Sequence, residues 1–184
     1  MIGAAIDKEN RMDEREQTCC FTGPRPQHLP WGANEEDPRC TRLKFELRCS
    51  LEGLIHEGWR HFICGMAVGC DMYFAEAVLN LKHDYPGIQL EAAIPCGTQP
   101  DRWSLEQRQR YNRLLDRCDR VTVLQIAYTP DCMQRRNRYM VDRSSLLLAC
   151  HTGRPGGSMN TLLYAMEQGI RTIQLDIDDS GSRR

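Results

Sequence analysis

Apolar residues recur along this chain in two alternating rhythms. Short apolar-leaning runs fall at residues 19–22, 61–64, 88–96, 120–127, 146–150 and 171–177. These read as strands: the run at 120–127 is rich in β-branched residues, and the continuous run at 146–150 suits burial on both faces. Between them the apolar positions return every three or four residues, the period of a helix with one buried side. Leu43, Leu47, Leu51, Leu54 and Ile55 share such a face, in a segment opened by Asp37-Pro38 and closed by Gly58. A second helix is expected over 71–83, with Met72, Ala75, Val78 and Leu79 inward. Ser104 with Gln107 forms a capping box ahead of Tyr111, Leu114, Leu115 and Cys118. A fourth helix over about 132–144 turns Met133, Met140 and Val141 inward and displays Arg135, Arg136, Arg138 and Arg143 elsewhere; a fifth runs through 161–168 to Gly169.

Strands alternating with helices imply right-handed crossovers, so the expected fold class is α/β: a doubly wound, mainly parallel sheet with helices on both faces. One domain over 18–178 is expected, between a flexible polar extension at 1–17 and a flexible tail at 179–184. The formal net charge of −1 gives no global field that would draw the chain onto nucleic acid or an anionic membrane, although a local basic face stays open. Ten cysteines include no CxxC pair and no accompanying His-x-x-x-His, so no metal site is expected, and no cofactor. The charged start has no secretory leader pattern, and no apolar run approaches a membrane span. The expectation is a cytoplasmic protein with reduced thiols and no membrane partner.

Three strands run into glycine-bearing loops: "TGPRP" after the first, "GMAVGCD" after the second and "HTGRPGG" after the fifth. In a parallel sheet all three lie on one edge, where ligands bind. Glycines let backbone N–H groups approach a phosphate, the next helix adds its positive end, and Arg25 and Arg154 can bond the same anion. Neither GxGxxG nor GxxxxGK[ST] occurs, which argues against an ordinary dinucleotide fold and a plain Walker-type ATPase.

The blocks "CCFTGPRP", "GMAVGCDMYFAEAVL", "RNRYMVDRSSLLLA" and "GRPGGSMNTLLYAMEQG" resemble, in this order, those of the YpsA-like proteins of the SLOG superfamily. That superfamily also holds the DNA-processing protein A fold and the LOG-type phosphoribohydrolases. The resemblance spans nearly all of 19–177 and implies a Rossmann-like fold with a nucleotide or nucleotide-derivative pocket over the glycine loops. The matching positions are Gly23, Arg25, Gly65, Gly69, Asp71, Gly156, Gly157, Ser158 and Thr161; with Met66 and Arg154 from the same loops they make up the ligand-binding set. Two departures stand out. Pro24 occupies the place of a histidine in the first block. Met159, Asn160 and Leu163 stand where the LOG enzymes carry glycine, threonine and the catalytic glutamate, and a leucine does no acid–base work.

Several side chains keep two readings. Asp71 suits ribose hydroxyls or a helix N-cap. Glu76 suits the pocket mouth or a solvated helix face. Arg25 is displayed on a proline-stiffened loop, which favours use of its guanidinium. Arg135, Arg138 and Asp142 suit an ion-pair ladder or a cation offered to the pocket. His151 reads as a loop residue rather than a base, Cys64 and Cys70 as packing, and Trp103 as a cover for a base. The leading function is a nucleotide-binding sensor that reports to a partner protein, with apolar helix faces that allow a homodimer. The alternative is a nucleoside-monophosphate N-glycosidase using Asp71 or Glu76 as its catalytic carboxylate. A further alternative is single-stranded DNA binding, which the charge and the 7% aromatic content disfavour.

Overall fold

The computed structural model describes residues 14–177. In chain order the elements are β1 (Thr18–Thr22), a 3-10 turn (Pro26–His28), α1 (Pro38–Glu57), β2 (His61–Cys64), α2 (Cys70–Leu81) and β3 (Gln89–Ile94). Then come α3 (Leu105–Leu115), β4 (Arg120–Val123), α4 (Cys132–Asp142), β5 (Leu146–His151), α5 (Gly157–Glu167) and β6 (Arg171–Asp176). All six strands are parallel, in the order β4-β3-β2-β1-β5-β6. The fold is Rossmann-like α/β, as the alternating pattern predicts.

The period-two alternation of the strands sorts the core into two layers. Cys19, Phe21, Phe62, Cys64, Leu90 and Leu148 face α1, α2 and α3, and Phe21 stacks on Phe74 at 4.5 Å. Cys20, Ile63, Ala93, Leu147 and Ala149 face α4 and α5 through Met140, Val141, Leu162 and Ala165. Nine of the ten cysteines are shielded to some degree, Cys49 being exposed, and none is in a disulfide.

Helix ends follow local chemistry. The Asp37 carboxylate accepts from the Arg39 N–H at 2.8 Å to start α1, and Gly58 ends it at φ 110°. The capping box at Ser104 and Gln107 is present. Two elements differ most from expectation. β4 stops at Val123 rather than 127, because β3 ends at Ile94: Leu124 N bonds Ile94 O, and the chain then turns outward, leaving Ile126 90% exposed. α5 begins at Gly157 rather than 161, so the glycine pair itself opens the helix.

Residues 14–17, expected in a flexible extension, are fastened to the amino-terminal edge of the sheet. Gln17 O accepts from Arg60 N and His61 N, and Ser145 Oγ donates to Glu16 O at 2.8 Å. Residues 1–13, and the tail expected at 179–184, lie outside the described residues. Among the described residues no helix is long and apolar enough to cross a membrane.

The same edge holds a fully buried carboxylate, Glu91. Tyr139 Oη and Thr122 Oγ1 donate to it at 2.7 and 2.8 Å, and His61 Nε2 stands 3.2 Å away. Burial alone would raise this carboxyl; the bonds from His61, Tyr139 and Thr122 outweigh it and bring its pKa from 4.5 down to about 2. A depressed carboxyl contributes stability above its ordinary pKa and loses it as pH falls through the folded value. We therefore expect about 3 kcal/mol of stability to disappear between roughly pH 4.5 and pH 2. Denaturant melts of the wild type and Glu91→Gln across that window check this: the variant should start weaker at neutral pH and lose less on acidification.

Candidate functional site

From β1 the chain winds outward through β2 and β3 to β4, then returns to place β5 on the other side of β1. Helices on either side of this reversal lie on opposite faces, and the parting between β1 and β5 is where sheets of this kind hold ligands. A cleft of about 250 Å³ opens there. Gly23, Pro24 and Arg25 form one wall, Ala67 and Asp71 the floor beside α2, Met133, Arg136 and Asn137 of α4 the back, and Arg154, Gly156, Gly157 and Ser158 the lip. The first-turn N–H groups of α5, which lack intrahelical acceptors, belong to this lip.

The wall is held by contact between two glycine loops. A side chain at Gly69 (φ 100°) would strike the Pro24 carbonyl at 2.9 Å, and one at Gly23 would strike the Cys70 Cβ at 2.4 Å. This fit seats the Arg25 loop directly on the start of α2. Arg25 itself is exposed, its Nη2 3.8 Å from the Met133 sulfur.

Arg136 is the residue that the sequence reading placed elsewhere. It is only 6% exposed. Its position follows from helix period: Arg136 stands four residues after buried Cys132 and four before buried Met140, on the inner face. Its Nε donates to Asn137 Oδ1 at 2.8 Å, and the Asn137 amide donates to Thr161 Oγ1 at 2.7 Å. Its Nη1 lies 3.7 Å from Asp71 Oδ2 and has no hydrogen-bond partner. Burial pulls the guanidinium pKa below its ordinary value, against the charge of Asp71. Burial likewise raises the Asp71 carboxyl, against Arg136, the Ala67 N–H and Arg25. Asp71 is not the N-cap: Gly69 holds that place, and the carboxylate reaches back to accept from Ala67 N at 3.1 Å. The turn is set by Met66, whose φ of 52° is left-handed.

Of the expected ligand set, the cleft brings together Gly23, Arg25, Asp71, Arg154, Gly156, Gly157 and Ser158. Gly65, Met66, Gly69 and Thr161 sit behind it. Met66 is fully buried beside Cys64, and Thr161 bonds Gly157 O and Asn137. Glu76 is on another side of α2, gripped by both arms of Arg110 at 2.7 Å. Arg135 bonds Gln125, Arg138 covers the Tyr164 ring, and Asp142 accepts from the Tyr164 hydroxyl; they form neither a ladder nor a cleft cation. His151 is tied to Gln174 and Asp176 on β6. Trp103 packs edge-on against Tyr111 at 5.3 Å, away from the cleft. Cys70 is buried, and its bond to Cys150, with burial, keeps the thiol well above its ordinary pKa. Among the described residues no group of three or more metal-ligating side chains converges.

Gly65 makes the room that Arg136 needs. A Cβ there would fall 1.2 Å from Arg136 Nη1. Gly65→Ala is therefore expected to evict the guanidinium at a cost of about 1–3 kcal/mol, with the sheet retained. A crystal structure of the variant, with Arg136 displaced from beneath the β2 loop, checks this; an unmoved Arg136 would refute it.

The chain is similar in sequence to other proteins over most of its length. The uncharacterized SPbeta prophage-derived protein YoqJ of Bacillus subtilis (strain 168) is 32% identical over 143 residues, 71% of this chain and 84% of that one. A UPF0398 protein of Bacillus pumilus (strain SAFR-032) is 26% identical over 135 residues, 72% and 73% of the two chains. Among solved structures, DNA processing protein A (DprA) from Streptococcus pneumoniae aligns with a TM-score of 0.60 over 94% of this chain, at 14% identity. That likeness is one of fold, and the chain spans only 54% of DprA. The model of the YspA SLOG family (YpsA) matches residues 19–178, and the chain belongs to that family.

Proposed function

We propose that the cleft between β1 and β5 binds the phosphate end of a nucleotide or nucleotide derivative, and that the protein acts as a sensor of that molecule. The observation that carries this reading is Arg136: a guanidinium 6% exposed, facing a cleft, with a donor left unpartnered. Burying a cation is costly, and an anion in the cleft offsets its charge. Arg25, Arg154 and the amino end of α5 bound the same space. The cleft volume of about 250 Å³ suits a phosphorylated sugar better than an intact dinucleotide.

One observation favours a second reading, cleavage of a nucleoside monophosphate at its glycosidic bond. Asp71 is a buried cleft carboxyl whose pKa is raised by burial, a property of general acids. Leu163, at the place of the LOG glutamate, is 51% exposed and outside the cleft lining, so Asp71 is the carboxyl left for this role.

The test is thermal melting against nucleoside mono-, di- and triphosphates, NAD, ADP-ribose, cyclic nucleotides and a single-stranded DNA oligonucleotide. A member present at a hundredfold excess over its Kd adds about 2.7 kcal/mol, an upward shift of roughly 5–10 °C for this length. The shift should vanish in the charge-balanced double variant Arg136→Met/Asp71→Asn and weaken in Arg25→Ala. No shift from any nucleotide would refute the reading, and salt-sensitive binding of the oligonucleotide alone would replace it with DNA recognition. Chromatography of the shifted mixture separates the two small-molecule readings: release of free base, abolished in Asp71→Asn, identifies the enzyme.

A further inference from the structure

We infer that Gln99 is a positioning residue for Arg136: with an anion in the cleft, its amide bridges the Gly65 carbonyl and Arg136 Nη1. This rests on the reading of the cleft as a phosphate site. Among the described residues four buried polar side-chain atoms lack a partner, and two of them, Gln99 Oε1 and Arg136 Nη1, belong to side chains that both stand against Gly65: Gln99 donates to its carbonyl, and Arg136 Nη1 lies where a Cβ would be. One is an acceptor and the other a donor, so each supplies what the other lacks. Gln99 is 8% exposed and Arg136 6%, which leaves bulk water little access to either.

The orientation of the amide is fixed by its other end. Gln99 Nε2 donates to Gly65 O at 3.0 Å; turned over, the amide would set oxygen against oxygen. Oε1 is therefore the atom left to accept. The guanidinium stands beside one counter-charge, with Nη1 3.7 Å from Asp71 Oδ2. An anion in the cleft takes over that balance and lets Nη1 turn to Oε1. The other groups acting on the guanidinium are Arg25 on the β1 loop and the thiols of Cys64 on β2 and Cys132 on α4. Gln99 lies between β3 and α3, so the bridge ties that loop to the occupied state of a cleft it does not line.

The experiment titrates inorganic pyrophosphate into the wild-type chain, Gln99→Glu and Gln99→Leu, at about pH 7.5 and about pH 5, with melts of each apo protein as the folding check. Gln99→Glu places a carboxylate beside Nη1, which captures the guanidinium and competes with the anion. Its affinity should be at least about tenfold below wild type at the higher pH, and the ratio should shrink at the lower pH as the new carboxyl takes up a proton. Gln99→Leu should weaken binding by a ratio that pH leaves unchanged. Wild-type affinity in Gln99→Glu at the higher pH, or a deficit indifferent to pH, overturns the inference while the phosphate reading stands. If Gln99→Glu does not fold, Gln99→Leu decides: a loss of about tenfold supports the role and an unchanged affinity refutes it. A wild-type chain that ignores pyrophosphate removes both the inference and the phosphate reading beneath it.

Discussion

Every other feature of the cleft follows from the return of the chain from β4, at one edge of the sheet, to β5 beside β1. Right-handed crossovers force α1, α2 and α3 onto one face and α4 and α5 onto the other. The elements therefore part at β1, and a space opens that no helix fills. The helix that makes the return, α4, passes its inner face behind that space. A cation on this face is buried by the fold itself and directed at the crevice. The glycine contacts between the β1 and β2 loops then seat one wall of the cleft on the start of α2.

The electrostatics of the floor depend on the same arrangement. Asp71 and Arg136 are each less than a tenth exposed, and burial pushes both toward their neutral forms. Their mutual attraction resists this without forming a close hydrogen-bonded pair. Glu91, at the opposite edge of the sheet, shows the contrasting solution: donors from three elements hold the carboxylate firmly ionised. One buried carboxylate is saturated and structural. The other is under-bonded and faces a cavity.

Much of the architecture was legible because period and punctuation agree. Asp37-Pro38 and Gly58 bound α1, Ser104 and Gln107 start α3, and the apolar runs fall on strands. The errors have physical causes. Reading Val121, Val123 and Ile126 as one strand ignored that a strand extends only as far as its neighbour, and β3 ends first. Arg136, expected off the inner face with Arg135, Arg138 and Arg143, stands on it, at helical spacing from Cys132 and Met140. Glu76 and Asp71 look equivalent in sequence; Arg110, thirty-four residues away from Glu76, separates their roles, and no local pattern carries that information. Gly65 and Gly69, expected among the ligand contacts, leave room for a guanidinium and for a neighbouring backbone, which only the tertiary packing reveals.

The placement of sulfur has a consequence of another kind. Ten thiols in a chain of this length would ordinarily make it a ready sink for oxidants and electrophiles. Folding places eight of them out of contact with solvent, leaves Cys118 half-covered and presents Cys49 alone at the surface. The native protein is in this respect nearly inert, while the unfolded chain is highly reactive. Oxidation of the eight buried thiols therefore requires the fold to open around them, whereas Cys49 is open to it in the native state.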